Sequence, residues 1–269
     1  MTILHAILLG IIQGLTEFIP VSSTAHLLIG QRLLGLPADN AMFSFLVIVQ
    51  LGTLVSLFAF YWKDLLAIFK ATLNVRQSTP ERNLGFYIIV ATIPALLAGY
   101  LLKDAVEALF RQPMQEAAIR LFTAAVLLTL AEWLARKNRS LDSMTWLDAL
   151  FVGLMQIIAV FPGASRSGTT IAGGMFRGFD RPSAARFAFL MSIPVMLAAG
   201  GYQMLDLIRM PNLGTFLPLL AVGFVTAAIV GWFAIKWLIA YLSKHSLYIF
   251  AAYCAVVGTI VLVVSFLMA

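Results

Sequence analysis

The chain is poor in charge and histidine and has almost no cysteine. Of 269 residues, 11% are Asp, Glu, Lys or Arg, three are histidines and one, Cys254, is a cysteine. A lone cysteine excludes an intramolecular disulfide and any cysteine-based metal cluster. The charged fraction is about half that of an ordinary soluble domain. In its place 61% of the residues are hydrophobic, with a mean hydropathy of +0.95. This is the composition of a polytopic membrane protein. The net charge of +6 does not make a nucleic-acid surface, because the basic residues are scattered over short loops between apolar runs. The first twenty residues do not read as a secretory signal: they lack a basic start and a small-x-small cleavage site, and they contain Glu17.

Six apolar runs, near 41–61, 84–102, 116–134, 183–205, 213–239 and 246–268, reach the roughly 20 residues that a spanning helix needs. Four shorter runs, near 3–18, 23–36, 147–161 and 167–177, form two pairs, each broken by a segment containing Pro20 or Pro162. Short segments broken at matching places in two halves predict re-entrant helical hairpins that meet near the midplane. The expected fold is an all-α polytopic membrane protein of about ten helices, six of them spanning. It is one integral membrane domain over residues 1–269, with internal repeats of approximately 1–140 and 141–269. Each half has one hairpin and three crossings, so the second half is inverted relative to the first. With 62–83 on the cytoplasmic side, loops 135–146, 177–186 and 236–246 fall there too. That side then carries twelve Lys and Arg, against Arg32, Lys103, Arg111 and Arg209 opposite, as the positive-inside rule requires. Both termini come out extracytoplasmic. Arg120 and Glu132 lie near the ends of their apolar run and are expected to snorkel to the interface.

The two interruptions are related in sequence. The first reads Q-G-L-T-E-F-I-P-V-S-S-T-A-H from Gln13 to His26, the second Q-I-I-A-V-F-P-G-A-S-R-S-G-T-T from Gln156 to Thr170. Gly10, Gln13 and Phe18 align with Gly153, Gln156 and Phe161; after a one-residue slip, Pro20 and Ser23 align with Pro162 and Ser165. Weaker echoes follow, Phe43-Ser-Phe-Leu with Phe187-Ala-Phe-Leu and Asp64-Leu65 with Asp206-Leu207. Together the motifs place Glu17, His26 and Arg166 where hydrocarbon is otherwise expected. A charge there costs about 2.5–3.5 kcal/mol even on lenient insertion scales, so such groups mark a functional site.

The chemistry fits a phosphate. Each new half-helix opens with backbone N–H groups that have no intrahelical partner and with the positive end of its dipole. Two such ends facing one another make an anion site, to which Arg166 adds a planar charged fork. Ser22, Ser23, Thr24, Ser165, Ser167, Thr169 and Thr170 supply hydroxyls; caps and helix–helix hydrogen bonds are their alternative uses. Glu17 beside a phosphate acts either as a base or as ligand to a divalent cation, Mg²⁺ or Ca²⁺, shared with substrate phosphates. Gln13, one turn before Glu17, can orient it. His26, one turn after Ser23, can serve as base or acid near the same phosphate. Ser23 is the nucleophile candidate, with Ser165, His26 or a water as the alternatives.

These motifs resemble those of the bacitracin-resistance type of undecaprenyl-diphosphate phosphatase. The shared pattern is [E/Q]-x-x-x-E, then P-V-S-S-T-x-H, then P-G-x-S-R-S-G-x-T in the second half. The resemblance covers nearly the whole chain. It implies hydrolysis of the C55 lipid pyrophosphate to the monophosphate and inorganic phosphate in the bacterial cytoplasmic membrane. That reaction recycles the lipid carrier for peptidoglycan and confers bacitracin resistance, with the site open to the outer face and a divalent cation required. It puts the acidic role on Glu17, the nucleophile on Ser23, the histidine role on His26 and phosphate binding on Ser165 and Arg166. Gln13 stands where many members have a glutamate, which weakens mechanisms needing two carboxylates on a metal. The expected partners are the polyprenyl pyrophosphate, membrane lipids and no nucleic acid; a homodimer stays open. The rival reading is a secondary transporter or flippase of an anionic lipid or small molecule, since inverted repeats with broken helices are also a transporter architecture.

Overall fold

A computed structural model describes residues 1–74, 79–102, 113–159, 164–208 and 213–267. Phe161, Pro162 and Gly163 of the second motif, and Arg76, Lys103, Arg111 and Arg209 of the loops, lie outside the described residues. Among the described residues there are eleven α-helices and no strand. In chain order they are α1 (Ile3–Thr16), α2 (Ser23–Leu33), α3 (Asn40–Phe60), α4 (Trp62–Leu73), α5 (Pro80–Leu101) and α6 (Pro113–Leu134). Then follow α7 (Trp146–Ile158), α8 (Arg166–Phe176), α9 (Arg181–Ile208), α10 (Leu213–Leu242) and α11 (Tyr248–Leu267). Several starts are set by capping side chains, which satisfy first-turn N–H groups. Asp39 accepts from Met42 N at 2.8 Å, Thr79 from Arg82 N at 3.2 Å, and Thr145 and Asp148 form a reciprocal capping box on α7.

Among the described residues six helices are long and apolar enough to cross a membrane: Ala41–Phe60, Pro80–Leu101, Met114–Leu134, Arg181–Gly201, Phe216–Leu242 and Tyr248–Leu267. They fall on the six long runs of the sequence. The α1 and α7 helices, of 14 and 13 residues, rise only about 20 Å at 1.5 Å per residue, short of the ~30 Å hydrocarbon core. The stretch 62–83, expected as a loop, contains α4. Trp62, Leu66, Phe69 and Leu73 form an exposed apolar stripe on it, one turn apart as in an interfacial amphipathic helix. At 12 residues it fell below the length that identifies a spanning run.

Small residues let the helices approach backbone to backbone. A Cβ on Gly10 of α1 would sit 2.8 Å from the Gly223 carbonyl oxygen of α10, and one on Gly153 of α7 would sit 2.4 Å from that of Ala91 on α5. Thus the aligned Gly10 and Gly153 pack in the same way, each against a helix from the other part of the chain: α1 on α10, and α7 on α5. Beyond these contacts, α3 packs along α10, where Ser56 Oγ donates to Ala228 O at 2.7 Å, and α11 packs along α6. The larger apolar core includes Leu121, Leu128, Ile171, Phe187, Met191 and Leu238; a smaller one gathers Leu9, Phe45, Val49 and Ala227.

Arg120 and Glu132 do not snorkel. Both are buried. Arg120 donates to Ala164 O at 3.3 Å, and Glu132 accepts from Arg181, Lys137 and the Leu247 backbone N–H. Their place near a helix end suggested snorkelling, but partners from other helices hold these side chains inside the bundle.

Candidate active site

The first motif forms a tight turn between two short helices. Glu17 caps the C-terminus of α1, its N–H bonded to Gln13 O. The chain turns through residues 18–22, and α2 begins at Ser23. Ser22, the residue before it, has φ +69° and ψ +92°, a left-handed conformation that is strained for a side-chain-bearing residue by about 1–3 kcal/mol. In the second motif Ser165 caps α8, its Oγ accepting from Gly168 N at 3.2 Å, and Arg166 is the first residue of that helix.

The two motifs meet at Glu17. Its Oε2 accepts from Gln13 Nε2 at 2.7 Å and from Ser23 Oγ at 2.7 Å, and its Oε1 accepts from Arg166 Nη2. Residues 149 positions apart thus share one buried carboxylate. The tips also touch elsewhere, since a Cβ on Gly168 would lie 3.7 Å from Pro20 O. Of the other expected residues, Ser22 is buried and Thr24 is exposed on the first turn of α2. Ser167 Oγ lies 3.4 Å from Ser165 Oγ. Thr169 and Thr170 turn their hydroxyls onto the carbonyls of Ser165 and Arg166, at 2.6 and 2.8 Å, which is the back-bonding expected of threonine inside a helix.

His26 does not touch Ser23 Oγ, which is bonded to Glu17. Its Nδ1 lies 2.9 Å from Ser22 O and its Nε2 2.8 Å from the Tyr253 hydroxyl of α11. Tyr253 was not singled out in the sequence, and Arg120, expected only to snorkel, instead reaches from α6 to the carbonyl just before Ser165. A tyrosine in an apolar run and an arginine near its end carry no signal of these long-range contacts. Gln156, the repeat partner of Gln13, is 2% exposed, and its amide has no partner among the described residues. In the first motif that partner is Glu17, whereas four residues after Gln156 stands Val160.

The base of the second hairpin is tied by charge. Asp148 accepts from Arg139 at 3.2 and 2.7 Å, from Arg177 at 2.6 Å and from Thr145. Burial pushes its carboxyl up, but these bonds outweigh burial and hold it well below the usual carboxylate range.

Among the described residues no group of three or more His, Cys, Asp or Glu is placed to hold a metal ion. The residues present fit a hard cation that takes most of its oxygens from elsewhere. Among the described residues Glu17 is the one carboxylate at the meeting point, and the buried Gln13 Oε1 beside it has no partner there. One carboxylate, one amide oxygen and substrate phosphates form a donor set suited to Mg²⁺ or Ca²⁺.

Comparison with known proteins matches residues 6–260 to the family described as bacitracin resistance protein BacA. Similar proteins named undecaprenyl-diphosphatase include one from Chlorobium phaeovibrioides, 40% identical over 97% of this chain and 96% of the relative. Another, from Alkaliphilus metalliredigens, is 40% identical over 99% of this chain and all of the relative, and one from Rubrobacter xylanophilus is 41% identical over 93% and 94%. A match across both motifs and nearly the full length goes beyond a shared membrane composition, and this chain belongs to the bacitracin resistance protein BacA family.

Proposed function

We propose that this protein is a membrane-embedded undecaprenyl-diphosphatase, which converts the lipid pyrophosphate to the lipid monophosphate and inorganic phosphate. The family match and the relatives' names support the reaction. The observation that carries the site is the convergence of Ser23 and Arg166 on Glu17 from two motifs far apart in the chain.

Ser23 Oγ attacks the terminal phosphorus, and its proton passes to Glu17 Oε2, to which it is already hydrogen-bonded at 2.7 Å. The bond from that phosphorus to the bridging oxygen breaks, and the lipid monophosphate leaves with the bridging oxygen and the proton from Glu17, which returns the carboxylate to its charged form. Water then attacks the phosphoserine; its proton restores the serine hydroxyl through Glu17, and inorganic phosphate departs. Arg166 neutralises the phosphoryl oxygens, aided by the N–H groups opening α2 and α8. Substrate phosphate competes with Glu17 for this guanidinium, which frees the carboxylate to accept a proton. A divalent cation, held by Glu17 and Gln13, would supply further charge neutralisation on the phosphates.

The short hairpins α1–α2 and α7–α8, their meeting tips and the matched Gly10 and Gly153 contacts support a re-entrant, inverted arrangement. The excess of Lys and Arg in 62–83, 135–146, 177–186 and 236–246 supports an extracytoplasmic site and termini in a bacterial cytoplasmic membrane. The test is phosphate release from a long-chain prenyl pyrophosphate by the purified protein in detergent, with and without chelator. Chelator-sensitive release that disappears in Ser23→Ala, Glu17→Ala and Arg166→Ala is expected. Folded protein that binds the lipid but releases no phosphate would overturn the reading in favour of transport.

A further inference from the structure

The turn that presents Ser23 is strained at Ser22, and the structure shows what holds it. The Ser22 carbonyl accepts two bonds from one residue, from His26 N at 3.3 Å and from His26 Nδ1 at 2.9 Å. A carbonyl can only accept, so Nδ1 carries the hydrogen, and in the neutral ring Nε2 is the acceptor. That acceptor faces the Tyr253 hydroxyl at 2.8 Å, with the two rings within 9° of parallel. The neighbouring residue of α11, Cys254, places its sulfur 4.0 Å from Pro20 O in the same turn. One face of α11 therefore braces the first hairpin tip at two points. Ser23 Oγ, meanwhile, is bonded to Glu17, so the imidazole has no contact with the nucleophile that a base would need.

From this arrangement we infer that Tyr253 is a positioning residue: it fixes the His26 imidazole so that Nδ1 clamps the strained Ser22 carbonyl and aims Ser23 at Glu17. The inference rests on the proposed phosphatase site and deepens it. His26 acts here as a donor and not as a base, because both ring nitrogens are occupied by partners other than the nucleophile. The chain that sets the nucleophile runs from Tyr253 through His26 and Ser22 to Ser23, and it joins the last helix to the first hairpin across 227 positions.

Two isosteric amides separate a clamp from a base. In His26→Asn the amide nitrogen takes the place of Nδ1 and can still donate to Ser22 O. In His26→Gln it takes the place of Nε2, so it reaches toward Tyr253 and leaves the carbonyl without its donor. Neither variant has the acid–base capacity of imidazole. Phosphate release from a long-chain prenyl pyrophosphate is measured for the full chain in detergent, beside Tyr253→Phe and the Tyr253→Phe/His26→Asn double variant. The Asn variant is expected to keep at least about a tenth of the parental kcat, with the Gln variant falling a further tenfold or so, the range that loss of one hydrogen bond supports. Tyr253→Phe should lower kcat about three- to tenfold with KM within about twofold, and should add nothing to His26→Asn, since each breaks the same link. Equal losses in Asn and Gln would return His26 to the role of base and overturn the inference. So would a Tyr253→Phe kcat within about twofold of the parent, or losses that multiply in the double variant. Absence of turnover in the unsubstituted protein would instead sink the phosphatase reading itself.

Discussion

At the scale of single residues, Glu17 organises the site because three donors share one buried carboxylate. Gln keeps the side-chain length but abolishes proton acceptance and turns one of the two acceptor oxygens into an amide donor that faces another donor. Glu17→Gln is therefore expected to lose about 10²- to 10⁴-fold in kcat, the usual worth of a general base, and to lower the unfolding temperature as well; turnover within tenfold of the parent would remove Glu17 from that role. Arg166 poses a different question. A lysine keeps the charge but not the planar fork that engages two oxygens at once, so Arg166→Lys should be nearly as damaging as Arg166→Ala in kcat/KM. Near-normal turnover in the lysine variant would rule out two-oxygen recognition. Glu17, Ser23 and Arg166 were legible in the sequence because charge and hydroxyls in an apolar run are expensive and stand out. Tyr253 and Arg120 were not: their roles are set by contacts across more than forty and more than two hundred positions, and no local pattern encodes such contacts.

Among the elements, the second hairpin shows how a short helix is fixed at both ends. Its tip is reached by Arg120, and its base is tied by Arg139 and Arg177 to Asp148. Replacing Asp148 by Asn leaves two guanidiniums without their counter-charge. Because both are partly exposed, the loss is expected to be about 2 kcal/mol, below the cost of breaking a fully buried pair. The folded carboxyl titrates below its unfolded value of about 4, so its contribution is complete above that value and fades as pH falls through the folded one. Unfolding of parent and Asp148→Asn followed from pH 7 down to pH 3 should show the gap narrowing only in the acid range. At the middle of the same hairpin, a methyl on Gly153 would meet the Ala91 carbonyl oxygen at 2.4 Å, closer than a real side chain approaches. Gly153→Ala should therefore lower stability by about 1–3 kcal/mol, the ordinary cost of overpacking, as read by thermal unfolding in detergent. An unchanged transition would mean that α5 and α7 can move apart freely.

Over the whole molecule, the two halves are interleaved: α1 of the first packs on α10 of the second, and α7 of the second packs on α5 of the first. Neither half can bury its short helices alone, so the Glu17 carboxylate and the Arg166 guanidinium that faces it come together only when both halves have folded. Orientation is testable because Cys254 is fully buried and leaves the parent silent to a membrane-impermeant thiol reagent. Ala38→Cys, between α2 and α3, and Ser143→Cys, between α6 and α7, place single exposed thiols on opposite expected faces. Intact cells should label Ala38→Cys readily and Ser143→Cys only after permeabilisation; the reverse pattern would invert the proposed topology.

The sequence by itself determined that the chain lives in a membrane, where its six long helices run and which two motifs carry polar chemistry. These follow from composition and run length, because hydrocarbon tolerates few charges and needs about 20 residues per crossing. It also pointed to the family. What only the tertiary structure decided is who touches whom: that Arg166 meets Glu17, that Ser23 leans on Glu17 and not on His26, and that Glu132 and Arg120 are buried. It also decided that the last helix reaches back to the first turn. Such pairings are settled by packing between distant helices, where small residues set the spacing and a buried polar group must find whatever partner that spacing brings near.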